Sequence, residues 1–154
     1  MSSEQEELLR RFRSCQLEAS EWTHRAHLRV AIATLRTDSP EIALADLRRD
    51  IQRLNLSHGV VTTAERGYHE TLTRFWLWRV WASLEEAGRE ASESLLLELA
   101  GGPGEPLRYY SRSRLFSWEA RIGWLEPDLA PLAPDPGRWS DGTPPLFSLT
   151  PARE

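Results

Sequence analysis

Four residues in this sequence combine chemistry with spacing: His24 and His27, three apart, and His69 followed directly by Glu70. Positions i and i+3 of a helix share a face, with Cβ atoms about 5 to 6 Å apart, close enough for two imidazoles to hold one metal ion. In the first turns of a helix the positive end of the dipole disfavours imidazolium and favours the neutral ring that ligates metals. His69 lies near the start of a second apolar helical segment, so two crossing helices can bring three imidazoles together. Three histidines and a water are a catalytic zinc arrangement, and exchanging one for a carboxylate gives the triad that suits non-heme Fe(II). His24, His27 and His69 are therefore the expected ligands of a divalent metal ion, zinc or iron. Glu70 stands about 100° around the helix from His69, which suits a general acid or base, or a group behind the ligands, better than a co-ligand.

The same residues have ordinary readings. Trp22 before a Thr23 cap, with His27 at the fourth helical position, is the geometry of a hydrophobic staple, in which His27 simply packs on the indole. Arg66 and Arg74 lie four residues either side of Glu70, the spacing of a surface ion-pair ladder. His58 sits in a loop, and the neighbouring Ser57 cannot form a nucleophile-base pair with it. Arg108, Arg112 and Arg114 flank Tyr109 and Tyr110, where a solvated loop competes with an anion clamp; Arg114 is the candidate for the clamp. Trp76, Trp78 and Trp81 read first as core and second as the wall of a pocket beside the histidines.

These side chains need helices to position them. Leu8, Leu9, Phe12 and Cys15 recur at helical spacing over residues 4–17. Thr23 is a good cap for a helix to about Arg36, with an inward stripe of His24, His27, Leu28, Ala31 and Leu35. Ser39, Pro40 and Glu41 make a strong helix start, continued by Leu44, Leu47, Ile51 and Leu54. Thr62 and Glu65 have the separation of a capping box and predict a long central helix from there to about Glu86, striped by His69, Leu72, Trp76, Val80 and Leu84. Gly88 ends it. A further helix over residues 90–99 stops at Gly101, Gly102 and Pro103, and a short one from about Trp118 to Trp124 is capped by Ser117. Seven of the ten prolines fall between Pro127 and Pro151, which forbids regular helix there and predicts an extended segment docked through Leu129, Leu132, Trp139, Leu146 and Phe147. The expectation is an all-α single bundle of about five to six helices, with a helical domain over residues 1–126 and an irregular Pro-rich segment over residues 127–154.

Composition narrows the function. The 154 residues carry 19 basic and 23 acidic side chains, a net charge of -4, which argues against a nonspecific grip on nucleic acid or an anionic membrane. All the basic residues are arginines, which excludes a Schiff base, a pyridoxal phosphate anchor and a P-loop ammonium. Cys15 is the only cysteine, so no disulfide, four-cysteine zinc site or iron-sulfur cluster forms within one chain. An acidic N-terminus without the pattern of a signal peptide, and no apolar run near the roughly 20 residues of a membrane span, predict a cytoplasmic protein. The motifs of nucleotide-binding loops, zincins and serine hydrolases are absent.

The runs Trp22-Thr23-His24-Arg25-Ala26-His27-Leu28 and Gly67-Tyr68-His69-Glu70-Thr71-Leu72-Thr73, with residues 113–117 and 124–129 further on, resemble those of a family of uncharacterised small bacterial proteins with the motif pair WTHxxHL and GYHETxT. The resemblance covers roughly residues 8–132 and brings no activity with it. It implies that His24, His27, His69 and Glu70 are the family's histidine and acid positions, while His58 lies outside them. The resulting expectation is a metal-dependent hydrolase, lyase or iron oxygenase acting on a small anionic substrate, with His24, His27 and His69 as ligands, Glu70 as acid or base and Arg114 as anion clamp. Two alternatives stand beside it: a noncatalytic module binding a small molecule or protein, and a metal-free His69/Glu70 acid-base enzyme. An exposed apolar face on the first helix would make the chain a homodimer.

Overall fold

The computed structural model describes residues 1–139. It is all-helical there, with seven α-helices: α1 (Ser3–Arg13), α2 (His24–Leu35), α3 (Pro40–Ser57), α4 (Glu70–Ala87), α5 (Glu93–Ala100), α6 (Arg112–Leu115) and α7 (Trp118–Ile122). Each begins where a side chain accepts a hydrogen bond from an otherwise unpaired N–H of the first turn. Ser2, Thr23, Ser39, Ser92, Ser111 and Ser117 do this with a hydroxyl; the seventh cap, on α4, is the imidazole of His69. No helix among the described residues is long and apolar enough to cross a membrane.

The core forms where the apolar stripes meet. Leu28, Ile32 and Leu35 of α2, Leu44 and Leu54 of α3, Phe75, Leu77, Val80 and Leu84 of α4, and Leu96 of α5 are all buried, each contributing about 1.5–3 kcal/mol by leaving water. Helix α4 packs against α2, α3, α5 and α7, the central position its broad apolar arc predicts. Leu9 and Phe12 of α1 are buried in this same core, so the apolar face of the first helix packs against its own chain.

Two local expectations are corrected. Thr62 and Glu65 do not open α4: residues 62–69 form a loop in which the Thr62 hydroxyl accepts from the Tyr68 N–H at 3.2 Å, and the helix begins only after His69. Gly67 is the reason. Its φ of +98° is left-handed, and a Cβ there would lie 2.6 Å from the Thr62 Cα, so the chain must turn sharply before entering α4. Cys15 lies beyond the end of α1 with φ of 60° rather than on its stripe.

The Pro-rich segment lies over α4 as far as it is described. Leu132 and Trp139 are buried while Leu129 is exposed, and the Trp78 indole N–H donates to the Ala133 carbonyl at 3.4 Å. Leu146 and Phe147 lie outside the described residues.

Candidate functional site

The histidines are divided by their hydrogen bonds. His69 is 7% exposed. Its Nδ1 accepts from the Leu72 N–H at 3.1 Å, and its Nε2 donates to the Leu115 carbonyl at 2.8 Å. A carbonyl can only accept, so the proton is on Nε2, and both ring nitrogens are engaged in capping α4 and fastening it to α6. Burial pushes its pKa down to about 4, against the hydrogen bond to Leu115 and helped by the nearby charge of Arg121. His27 holds the opposite tautomer. Its Nδ1 donates to the Thr23 carbonyl at 2.7 Å, leaving the Nε2 lone pair with no partner among the described residues. Burial lowers its pKa to about 4 as well, against the bond to Thr23. Its ring stacks on Trp22 with centroids 3.7 Å apart, the staple geometry. His24 sets its ring edge-on to Trp76 at 4.7 Å, with a long Nε2 contact of 3.4 Å to the Gly101 carbonyl. His58 donates to the Leu17 carbonyl at 2.8 Å, tying the end of α3 to the N-terminal segment.

Among the described residues no group of three or more histidine, cysteine, aspartate or glutamate side chains is arranged to hold a metal ion. His69, with both nitrogens hydrogen-bonded, is the physical reason that the expected three-histidine set is not assembled.

Glu70 is 0% exposed and is not the edge of a surface ladder. Arg48 of α3 grips it with two bonds, Nε to Oε1 at 3.1 Å and Nη2 to Oε2 at 2.7 Å. Arg74 donates to Oε2 and the Tyr68 hydroxyl to Oε1, each at 2.7 Å. Burial pushes the carboxyl up, but the bonds from Arg48, Arg74 and Tyr68 outweigh it and hold the pKa below the ordinary carboxylate value. The carboxylate is saturated with donors and walled away from solvent. Arg114 donates from Nε to the Glu126 carbonyl at 2.6 Å and borders none of the cavity described next.

That cavity, of about 540 Å³, opens between α2, α3 and the start of α4. Trp22, His24, His27 and Ala31 form one wall, Leu47, Ile51 and Asn55 another, and Arg66, Gly67, Tyr68, His69, Leu72, Thr73 and Trp76 close the third. The volume falls in the range of roughly 300–1,000 Å³ typical of small-molecule sites, which pair apolar walls with a few placed polar groups. Arg121 holds the loop wall in place, donating from Nη1 to the carbonyls of Gly67 and Tyr68 at 3.2 Å each. Sequence reasoning brings His24, His27, His69 and Trp76 to one site but misses Asn55, Arg66 and the roles of Arg48 and Arg121. Arg48 carried a signal: it sits four residues after Leu44 and three before Ile51, a charge on an otherwise apolar face. No protein-family model, curated protein or solved structure matches the chain.

Two outcomes follow from the geometry. Glu70→Gln leaves Arg48 and Arg74 buried without their counter-charge and is expected to cost about 3–5 kcal/mol, read as a drop in the urea midpoint at unchanged slope; a loss within about 0.5 kcal/mol, the ordinary surface range, would contradict the hub. For His69 the folded pKa of about 4 lies below the ordinary 6.5, so the unfolded chain takes the proton first. Stability from this group is complete above pH 6.5, declines as pH falls toward 4, and is flat below. The decline is on the order of 3 kcal/mol. His69→Asn keeps a capping oxygen but no titrating proton, and its urea midpoint should fall less than wild type between those pH values; parallel curves would refute the assignment.

Proposed function

We propose that this chain is a small-molecule-binding protein whose ligand occupies the cavity between α2, α3 and α4, with a largely apolar, planar body against Trp76 and a hydrogen-bond donor to His27 Nε2. The observation that carries this reading is the joint placement of an apolar, ligand-sized cavity and an imidazole locked so that its bare nitrogen stays an acceptor throughout neutral pH. Indole rings supply broad contact faces at little cost in side-chain freedom. His27 also has the lone pair of a general base, although a pKa of about 4 makes it a weak one near pH 7.

A metal-dependent enzyme is the second reading. What supports it is the His24–His27 pair at the cavity wall, with His27 Nε2 unengaged; a zinc or iron ion held there would polarise a bound substrate, with other ligands coming from outside the histidine set. The engagement of His69 and the saturation of Glu70 weigh against it, and against metal-free catalysis by those two residues.

The test is a thermal-shift screen of one- and two-ring aromatic and heteroaromatic compounds against wild type and Trp76→Ala, with elemental analysis of tag-free protein alongside. Binding in the cavity predicts compounds that raise the wild-type Tm by several degrees and the variant's much less. No shift in wild type, or equal shifts in both proteins, would overturn the proposal. About one equivalent of zinc or iron, lost in folded His24→Ala and His27→Ala, would instead select the metal reading.

A further inference from the structure

The charges around the cavity are one-sided. Of the side chains lining it, none is an aspartate or glutamate, and Arg66 is the only arginine. Glu70, whose neighbours Tyr68 and His69 line the cavity, is sealed behind its own partners Arg48, Arg74 and Tyr68. Arg66 is exposed and has no ion-pair or side-chain hydrogen-bond partner among the described residues, whereas Arg74, on the other side of Glu70, donates to Glu70 and to the carbonyls of Pro136 and Gly137. The predicted ladder from Arg66 to Glu70 is not made, because Arg66 lies in the loop before α4 and not on the helix.

Other unmatched donors line the same space. The Asn55 side-chain amide and the Trp22 and Trp76 indole N–H groups have no hydrogen-bond acceptor among the described residues, and none belongs to the set of fully buried unsatisfied atoms. They are open to the cavity or to solvent. One guanidinium without an ion-pair partner among the described residues, with no carboxylate among the lining side chains, is complementary to negative charge.

We infer that the ligand of this cavity is an organic monoanion: a planar one- or two-ring body bearing a single carboxylate, with Arg66 as its counter-charge and a ring N–H or hydroxyl directed to His27 Nε2. This rests on the cavity reading above and adds to it the chemical class of the ligand. The guanidinium fork fits a carboxylate with two parallel bonds. Being at an exposed position, its contribution is screened by salt.

Indole-3-carboxylate and indole-3-carboxamide test it. The two are nearly identical in shape, both carry a ring N–H, and only one is charged. By isothermal titration calorimetry at pH 7 and low salt, the carboxylate is expected to bind wild type at least ten times tighter than the carboxamide. Arg66→Gln should weaken the carboxylate about tenfold, to the level of the carboxamide, while Arg112→Gln, which removes an equal charge from a residue outside the cavity, should preserve the preference. Added salt should weaken the carboxylate only. Equal affinities in wild type, or a preference that survives Arg66→Gln, would overturn the anion assignment while leaving the cavity as a binding site. No binding of either compound overturns the assignment too, and if the thermal-shift screen is also silent the cavity reading falls with it.

Discussion

A carboxylate with no exposed surface stays ionised only if the groups around it replace the water it has lost. Glu70 meets that condition with two guanidiniums and a phenol, and the identity of those partners fixes much of the molecule. Arg48 joins α3 to the first turn of α4, Tyr68 joins the preceding loop, and Arg74 continues outward to the carbonyls of Pro136 and Gly137. One charge thereby sets the register between two long helices, the entry loop and the C-terminal segment.

The position of the cavity follows from that constraint. With Glu70 facing inward, His69 stands at the helix start, where its ring replaces the serine or threonine that caps every other helix. The tautomer this requires, Nδ1 bare and Nε2 protonated, is supplied by the Leu115 carbonyl. His27 is fixed the other way by the Thr23 carbonyl, so its free nitrogen is Nε2. Two residues of the same type, both made neutral by burial, thus have different parts to play: one is consumed by the fold and the other keeps a lone pair at the wall of a cavity.

The elements whose signals are local were legible in the sequence. Thr23, Ser39-Pro40 and Ser117 start helices because capping needs only the next three residues, and Gly88 and Gly101 end them for reasons equally local. The staple of His27 on Trp22 is read from spacing for the same reason. What failed depended on contacts made through space. Thr62 and Glu65 have the spacing of a capping box, but Gly67 turns left-handed between them and the helix, so a correct pattern pointed to the wrong start. Glu70 looked like one rung of a surface ladder because Arg48, its strongest partner, is 22 residues away on another helix. His69 looked like a ligand because nothing in sequence reveals that the Leu115 carbonyl, 46 residues on, takes its second nitrogen.

The division of the histidines is the central claim, and nitrogen-15 spectra of the imidazole rings read it directly, through the two-bond couplings that distinguish the tautomers. At pH 7 the account predicts His69 neutral with its proton on Nε2, His27 neutral with its proton on Nδ1, and His69 signals that do not move when zinc is added. An imidazolium at either residue, the same tautomer at both, or a His69 ring nitrogen that shifts on coordinating zinc would contradict it.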